Sequence, residues 1–568
     1  MKTKLFAAAV SVALCSSSVF AVDREIRLSV QAYSGQHAPT LPPGNLLTEL
    51  KHAPVIGSGT LGFIAKRSGP QTGAGGMDQA VYLRGLNPQT QFKVVAESDF
   101  PPLAEFRVLL NADTISAGLL ALVNTVNGAQ NAIITSTQAG AVVRAQTGTV
   151  VPGTGGRVLH NIGDVLASSP SGRYLFGGDF GFPAMTGEFG RYASSSSGLD
   201  SVLLPGQMFN PRIGPDCTME YVDRALLSAA AIDPVGLVLG GAQSQGGAFG
   251  SFLGTVRIPD VGEPLVTPII TPGQASPSAF VAGTIEAVID FSVGPGNRGA
   301  VNTLVKSSTP PAVYTEQTGV MDLSSPDPFG AAALLLAPHT PVVSTSSTAG
   351  LVPDGTEHEQ LYDRIYFSGF DLIYIPVWVQ FPNFESRVVF ASASQSRARA
   401  AGVPLVTELR ALLMTFAPAP GLTGPRVQSI DKMCASDDGY AVVEVTLFGT
   451  GVNASNNKAW YMCTPSEEVV LVVREGQSIE VAAGDFKVLN AVNFHSDNNT
   501  GDGLPNSMGS NGTWAFQADL AGFTSTAIFV ATIEGECPAD LNGDGFVEDS
   551  DFVIFLGAYN ILDCADPG

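Results

Sequence analysis

The chain has 568 residues, 45% of them hydrophobic and only 14% charged, with 63 glycines and 38 prolines. Its 29 Lys and Arg stand against 51 Asp and Glu, a net charge of −22, which excludes nucleic acid and anionic lipid as electrostatic partners. Few charges, many turn formers and almost no helical periodicity before residue 545 describe an all-β protein.

Lys2 and Lys4 precede the apolar run Leu5 to Leu14, and Val19-Phe20-Ala21 offers the site a signal peptidase reads. Residues 1–21 are therefore expected to be a signal peptide. Cys15 does not read as a lipoprotein cysteine, because Leu14 stands where a small residue belongs. No later stretch is long and apolar enough to span a bilayer. The mature chain is expected to start near Val22, to carry a net charge of −24, and to be secreted, either extracellular or associated with the cell surface.

From there an internal repeat runs to residue 533. A glycine opening a short apolar strand recurs at Gly59, Gly118, Gly172, Gly236, Gly299, Gly369, Gly439 and Gly512, at spacings of 54 to 73 residues. A second strand follows, as in Ala80-Val81-Tyr82 or Ala459-Trp460-Tyr461. A third is Val94-Val95-Ala96 or Val472-Val473-Arg474, and a fourth Phe106-Arg107-Val108-Leu109 or Phe486-Lys487-Val488-Leu489. Each unit reads as a four-stranded antiparallel meander. The aromatics Tyr82, Phe176, Tyr314, Trp460 and Phe516 recur within it and read as packing between units.

After Gly512 only two strands remain before the acidic end. The missing half lies at the N-terminus, where Val30 to Gln36 matches the third strand and Asn45 to Leu50 sits where the fourth belongs. One sheet shared by both ends closes a ring, so residues 22–533 are expected to form a β-propeller of about eight four-stranded blades closed by N- and C-terminal strands. Seven is the alternative count, if Gly299 to Asp438 holds one overgrown blade. In specific terms, residues 28 to 50 are expected to pair with residues 512 to 533 in one sheet.

The copy Gly509-Ser510-Asn511-Gly512-Thr513-Trp514-Ala515-Phe516 resembles the NxxGxxAF tandem repeats of secreted, anchor-bearing bacterial proteins of the choice-of-anchor class, with Gly where the first Asn belongs. That resemblance implies a surface or extracellular repeat protein and no particular chemistry.

The residues from Glu534 to Gly568 hold nine acids and no Lys or Arg. Within them Asp540 to Asp551 has the spacing of an EF-hand calcium loop. Oxygen donors fall at positions 1, 3, 5, 9 and 12, and Gly545 at position 6 allows the turn that aims the next carbonyl at the ion. The expected Ca²⁺ ligands are Asp540, Asn542, Asp544, the Phe546 carbonyl, Glu548 and Asp551, the last being an Asp where a bidentate Glu is usual. Phe552, Phe555, Leu556 and Tyr559 then form one apolar stripe on a helix. This small calcium loop-helix, residues 534–568, is similar to one segment of a type I dockerin, a module that carries two. The resemblance implies docking to a protein partner or to a second copy of the tail.

Five cysteines outlast the leader, and an exported protein should pair them where geometry allows. Cys537 with Cys564 brackets the calcium loop, and Cys434 with Cys463 is the next candidate pair. Cys217 is left over and reads as a buried thiol.

Signals of catalysis are sparse. His37, His52, His160, His339, His358 and His495 have no metal-hydrolase spacing, and there is no Gly-x-Ser-x-Gly elbow and no phosphate loop. Glu357 and Glu359 are the acid pair a glycosidase would want, and their ordinary reading is surface solvation. Asp497 to Asp502 is an Asx-rich turn that would suit a second cation. The sequence thus favours a secreted non-catalytic binding or structural propeller with a glycan as its candidate ligand and a docking tail. The alternative is an extracellular polysaccharide-degrading enzyme, hydrolase or lyase, carrying a dockerin. An acid pair on two blades facing one another at the channel is what separates them.

Overall fold

A computed structural model of the chain describes residues 26–533, apart from short connecting stretches such as 71–77, 204–216 and 395–407. The signal peptide, the calcium-loop residues Asp540 to Asp551 and the cysteines Cys537 and Cys564 lie outside the described residues. The chain divides into two compact units, and Arg27–Thr532 is one of them. Among the described residues everything regular is β-strand, save two 3₁₀ turns at Pro295–Asn297 and Ser346–Thr348.

The strands form eight separate sheets. The first to be completed along the chain shows the pattern. β1 (Ile26–Tyr33) is set aside, and β2 (Leu46–Gly57), β3 (Thr60–Ser68), β4 (Asp78–Gly85) and β5 (Lys93–Ala96) make one antiparallel meander. β6 (Leu103–Ala112) opens the next. Gly59, Gly118, Gly236, Gly299, Gly439 and Gly512 stand at or near the start of a strand, and the stretch from Gly299 to Asp438 holds strands of three sheets. Two of these positions demand glycine for separate reasons. Gly512 has a left-handed φ of 60°, whereas at Gly299 a Cβ would meet the Leu323 side chain at 2.8 Å.

Apolar side chains clasp each sheet to the next. Leu61, Phe63 and Tyr82 pack on Ala515, Ile528 and Val530 of the last sheet, while Val55, Ile64 and Val81 pack on Phe106, Leu119 and Ile134 of the second. The same holds for the second and third sheets through Ile133 and Tyr174, and for the fourth, fifth, sixth and seventh in succession. The third and fourth touch through their strands, and Asn506 Nδ2 of the last sheet donates to the Ala435 carbonyl of the seventh at 3.3 Å. The eight sheets therefore follow one another around a ring, which is a β-propeller. The first strands touch one another around it: β2 meets β6, β6 meets Leu166–Ser168, and so on through Cys217–Leu227, Gly283–Gly294, Tyr366–Ser368 and Pro425–Ala435. Blades splay outward, so strands in mutual contact around the ring are those nearest its axis.

The closing sheet has the order Ile26–Tyr33, Thr526–Ile533, Thr513–Leu520, Asp485–Asn493, Ser478–Ala482. Ser34 N donates to the Thr526 carbonyl at 2.9 Å and Ser29 Oγ to the Val530 carbonyl at 3.2 Å, so β1 runs antiparallel to its C-terminal neighbour. The expected half-and-half division is corrected. Four strands of this sheet come from the C-terminal end and one from the N-terminus, because residues 46–50 belong to β2 and open the next sheet. The blades are shifted by one strand from the expected meander: the strand expected fourth in each unit is the first of the following blade.

Two further expectations are settled by burial and register. Tyr82 and Phe176 are buried between sheets as expected, and Trp460 and Phe516 are buried, but Tyr314 is 55% exposed at the start of its strand, with Lys306 Nζ 5.8 Å from its ring centre. Cys434 and Cys463 do not bridge each other. Both are buried, but Cys434 lies opposite Val442 and Cys463 opposite Ala441, with the strand Ala441–Gly449 between them. Two strand spacings come to roughly 9.5 Å, beyond the reach of about 7 Å for Cα atoms in a disulfide. Cys217 begins the strand Cys217–Leu227.

Candidate functional site on the axial strands

The groove worth reading chemically lies on β2 and β6. Leu47 and Leu50 are buried against the closing sheet, and an irregular register between Leu47 and Glu49 lets both point inward, which leaves Glu49 and Lys51 to face out. On β6, buried Phe106 does the same for its neighbours Glu105 and Arg107, with its amide donating to Gln79 Oε1 at 3.2 Å. Two Glu-x-cation pairs thus stand side by side on adjacent strands. Lys51 Nζ reaches Glu105 Oε1 at 3.3 Å, Arg107 Nε lies 3.8 Å from Glu105 Oε2, and Lys66 pairs with Glu49. The open cavity they line measures about 570 Å³ and is completed by Leu50, His52 and Gln517.

His52 is the unusual member. Between Lys51 and Val55, β2 carries three residues opposite Phe63 alone, and His52 takes a left-handed φ of 61° there. A bulge of this kind re-aims a side chain, and a non-glycine residue in that region costs roughly 1–3 kcal/mol. The closing sheet's loop holds the bulge in place: Ser507 Oγ donates to the Pro54 carbonyl at 2.7 Å and the Ile56 amide to the Asn506 carbonyl at 2.7 Å. Partial burial and the neighbouring Lys51 lower the imidazole's pKa, against the opposite pull of Glu105 and Glu49. Gln517 is fixed as well, its Nε2 on the Leu50 carbonyl at 2.6 Å and its Oε1 accepting from Asn493 Nδ2 at 3.3 Å.

The calcium ligands Asp540, Asn542, Asp544, Phe546, Glu548 and Asp551 lie outside the described residues, so their convergence is untouched by this geometry. Among the described residues no three His, Cys, Asp or Glu side chains gather as a metal would require. In the Asx turn, Asn498 and Asn499 form a short parallel bridge with Cys434 and Ala435, and Asp497 and residues 500–503 lie outside the described residues. Glu357 and Glu359 flank buried His358 on one strand, Glu357 held by His339 Nδ1 at 2.6 Å and Glu359 by Ser386 Oγ at 3.3 Å. They are surface acids with partners.

No local spacing in the sequence brings any two histidines together. Ring closure supplies one for His52 and His495, far apart in the chain: His495 bonds the Ala53 backbone, and His52 helps to lower its pKa. Acids do meet on two blades, as Glu49 and Glu105, but each stands beside a cation.

A family of unknown function, DUF7453, matches residues 392–534, from the sixth blade into the closing strand. No curated protein matches. Several solved structures are similar in part. An ulvan lyase bound to a -[GlcA(1-4)Rha3S]- ligand is 9% identical with a TM-score of 0.29, over 78% of this chain and 97% of its own. An alpha-L-arabinanase of Penicillium chrysogenum complexed with arabinobiose is 13% identical with a TM-score of 0.26, over 75% and 100%. A protein of unknown function from Dyadobacter fermentans is 7% identical with a TM-score of 0.25, over 89% and 99%. Overlaps this loose carry no argument about what this chain binds or does.

Proposed function

We propose that this is a secreted, non-catalytic propeller that binds an extracellular ligand through its axial groove and docks to a partner or surface assembly through a calcium-organised tail. The observation that carries the first half is the pairing of carboxylates with cations in the groove, where Glu105 has Lys51 at 3.3 Å and Arg107 at 3.8 Å. Acids held in ion pairs of this kind suit binding and orienting a ligand. Incubation of the full chain with a panel of neutral and acidic plant, algal and bacterial polysaccharides should release no reducing ends and no unsaturated uronates. Product from any one of them would replace this reading with the hydrolase or lyase alternative.

The second half rests on the loop from Asp540 to Asp551, whose donors suit a hard cation. Calcium titrated into the full-length chain should give one saturable heat per molecule, absent from the Asp540→Ala, Asp544→Ala double variant. Equal heats from parent and variant, or none from the parent, would leave an acidic tail without a metal.

A further inference from the structure

We infer that the groove between β2 and β6 binds a neutral, hydroxyl-rich sugar, a reading that rests on the propeller's being a binding protein and adds the class of its ligand. The charges around the groove alternate in two directions. Along each strand an acid is followed two residues later by a cation, and across the strands Lys51 faces Glu105. Formal charge among the cavity-lining residues Glu49, Lys51, Glu105 and Arg107 sums to zero. A polyanion would meet the carboxylates of Glu49 and Glu105 wherever it met Lys51 and Arg107, and a polycation would meet the reverse. A sugar hydroxyl both donates and accepts, so a row of them satisfies carboxylate, ammonium and guanidinium in turn by charge-assisted hydrogen bonds.

Folding alone does not account for this arrangement. Glu49, Glu105 and Arg107 are 48%, 37% and 43% exposed, and ion pairs so well solvated add little to stability. His52, beside them, is held in a left-handed conformation that glycine would adopt more cheaply, and its ring is presented to the cavity. Backbone strain kept beside an open cavity is a mark of a site.

The test is affinity electrophoresis of the full-length chain through gels holding single polymers: dextran, mannan, galactan and xylan as neutral probes, polygalacturonate as the anionic one, chitosan as the cationic one. Retardation by at least one neutral polymer is expected, about tenfold weaker in Lys51→Ala and in Arg107→Ala, the equivalent of about one lost charge-assisted bond. His52→Gly separates a binding role from a structural one. Its melting temperature should stay level or rise, since strain is relieved, while retardation weakens. Retardation by polygalacturonate or chitosan alone, none by any polymer, or neutral binding that ignores all three substitutions would overturn the assignment. Breakdown of the retarding polymer would instead overturn the non-catalytic reading and leave the ligand class standing.

Discussion

Deleting β1, the segment from the mature start through Tyr33, is expected to open the ring and convert a monomer into an aggregating species. β1 covers the edge of Thr526–Ile533, and its loss uncovers a row of backbone donors and acceptors that template intermolecular pairing. It also removes Ala32 from the core shared by the first and last blades and the hydrogen bonds of Ser29 and its neighbours. At roughly 0.5–1.5 kcal/mol for each ladder hydrogen bond, the loss is on the order of 5 kcal/mol. Light scattering and thermal melting read it directly. A truncated chain that stayed monomeric and melted with the parent would show that β1 is an ornament on a ring closed by other means.

Acid should loosen the same molecule at two buried histidines. Burial pushes His358 and His495 down to about 4, from an ordinary value of 6.5. His358 Nδ1 lies 3.2 Å from the Ala337 carbonyl, and each ring keeps a buried Nε2 with no hydrogen-bond partner among the described residues. The fold favours the neutral form of both, so their contribution is complete above pH 6.5 and disappears as pH falls from 6.5 to about 4. Each amounts to on the order of 3 kcal/mol. Melting midpoints taken at pH 7.5, 5.5 and 4.5 should fall steeply for the parent and less steeply for His358→Gln and His495→Gln. Identical slopes in parent and variants would mean that these rings reach water.

Much of the fold was legible because a propeller repeats its physics. A glycine is favoured where a strand meets a tight turn, as at Gly59, Gly439 and Gly512, or a neighbour's side chain, as at Gly118 and Gly299, and the spacing of these positions marks the repeat. The phase of the meander was harder to see, since a four-stranded unit looks the same whichever strand begins it. Only the chain ends break the degeneracy. There Val30 to Gln36 fits the closing sheet as expected, whereas residues 46–50 open the next one. The disulfide expected between Cys434 and Cys463 failed for a related reason: separation in sequence does not reveal that a whole strand lies between them.

The groove went unread because Glu49, Lys51, Glu105 and Arg107 look like ordinary outward charges on alternating strands. A signal was available. Glu49-Leu50-Lys51 and Glu105-Phe106-Arg107 occupy the same place in successive repeats, and equivalent strands of adjacent blades stand side by side near the axis. The left-handed turn at His52 left no such trace, because the bulge there is imposed by Asn506 and Ser507 from the far end of the chain.

That same closure has a consequence for the order of events during synthesis. β1 is among the first parts of the propeller to leave the ribosome and its partner strand Thr526–Ile533 the last, with Ser29 and Val530 501 positions apart. Every inner blade can form from neighbours already made, but the first segment has nothing to join until the final one arrives. Contacts of such long range are slow to form, and the waiting edge is adhesive. The newborn chain therefore spends its whole period of elongation as an open arc, and its vulnerability ends only with the last blade.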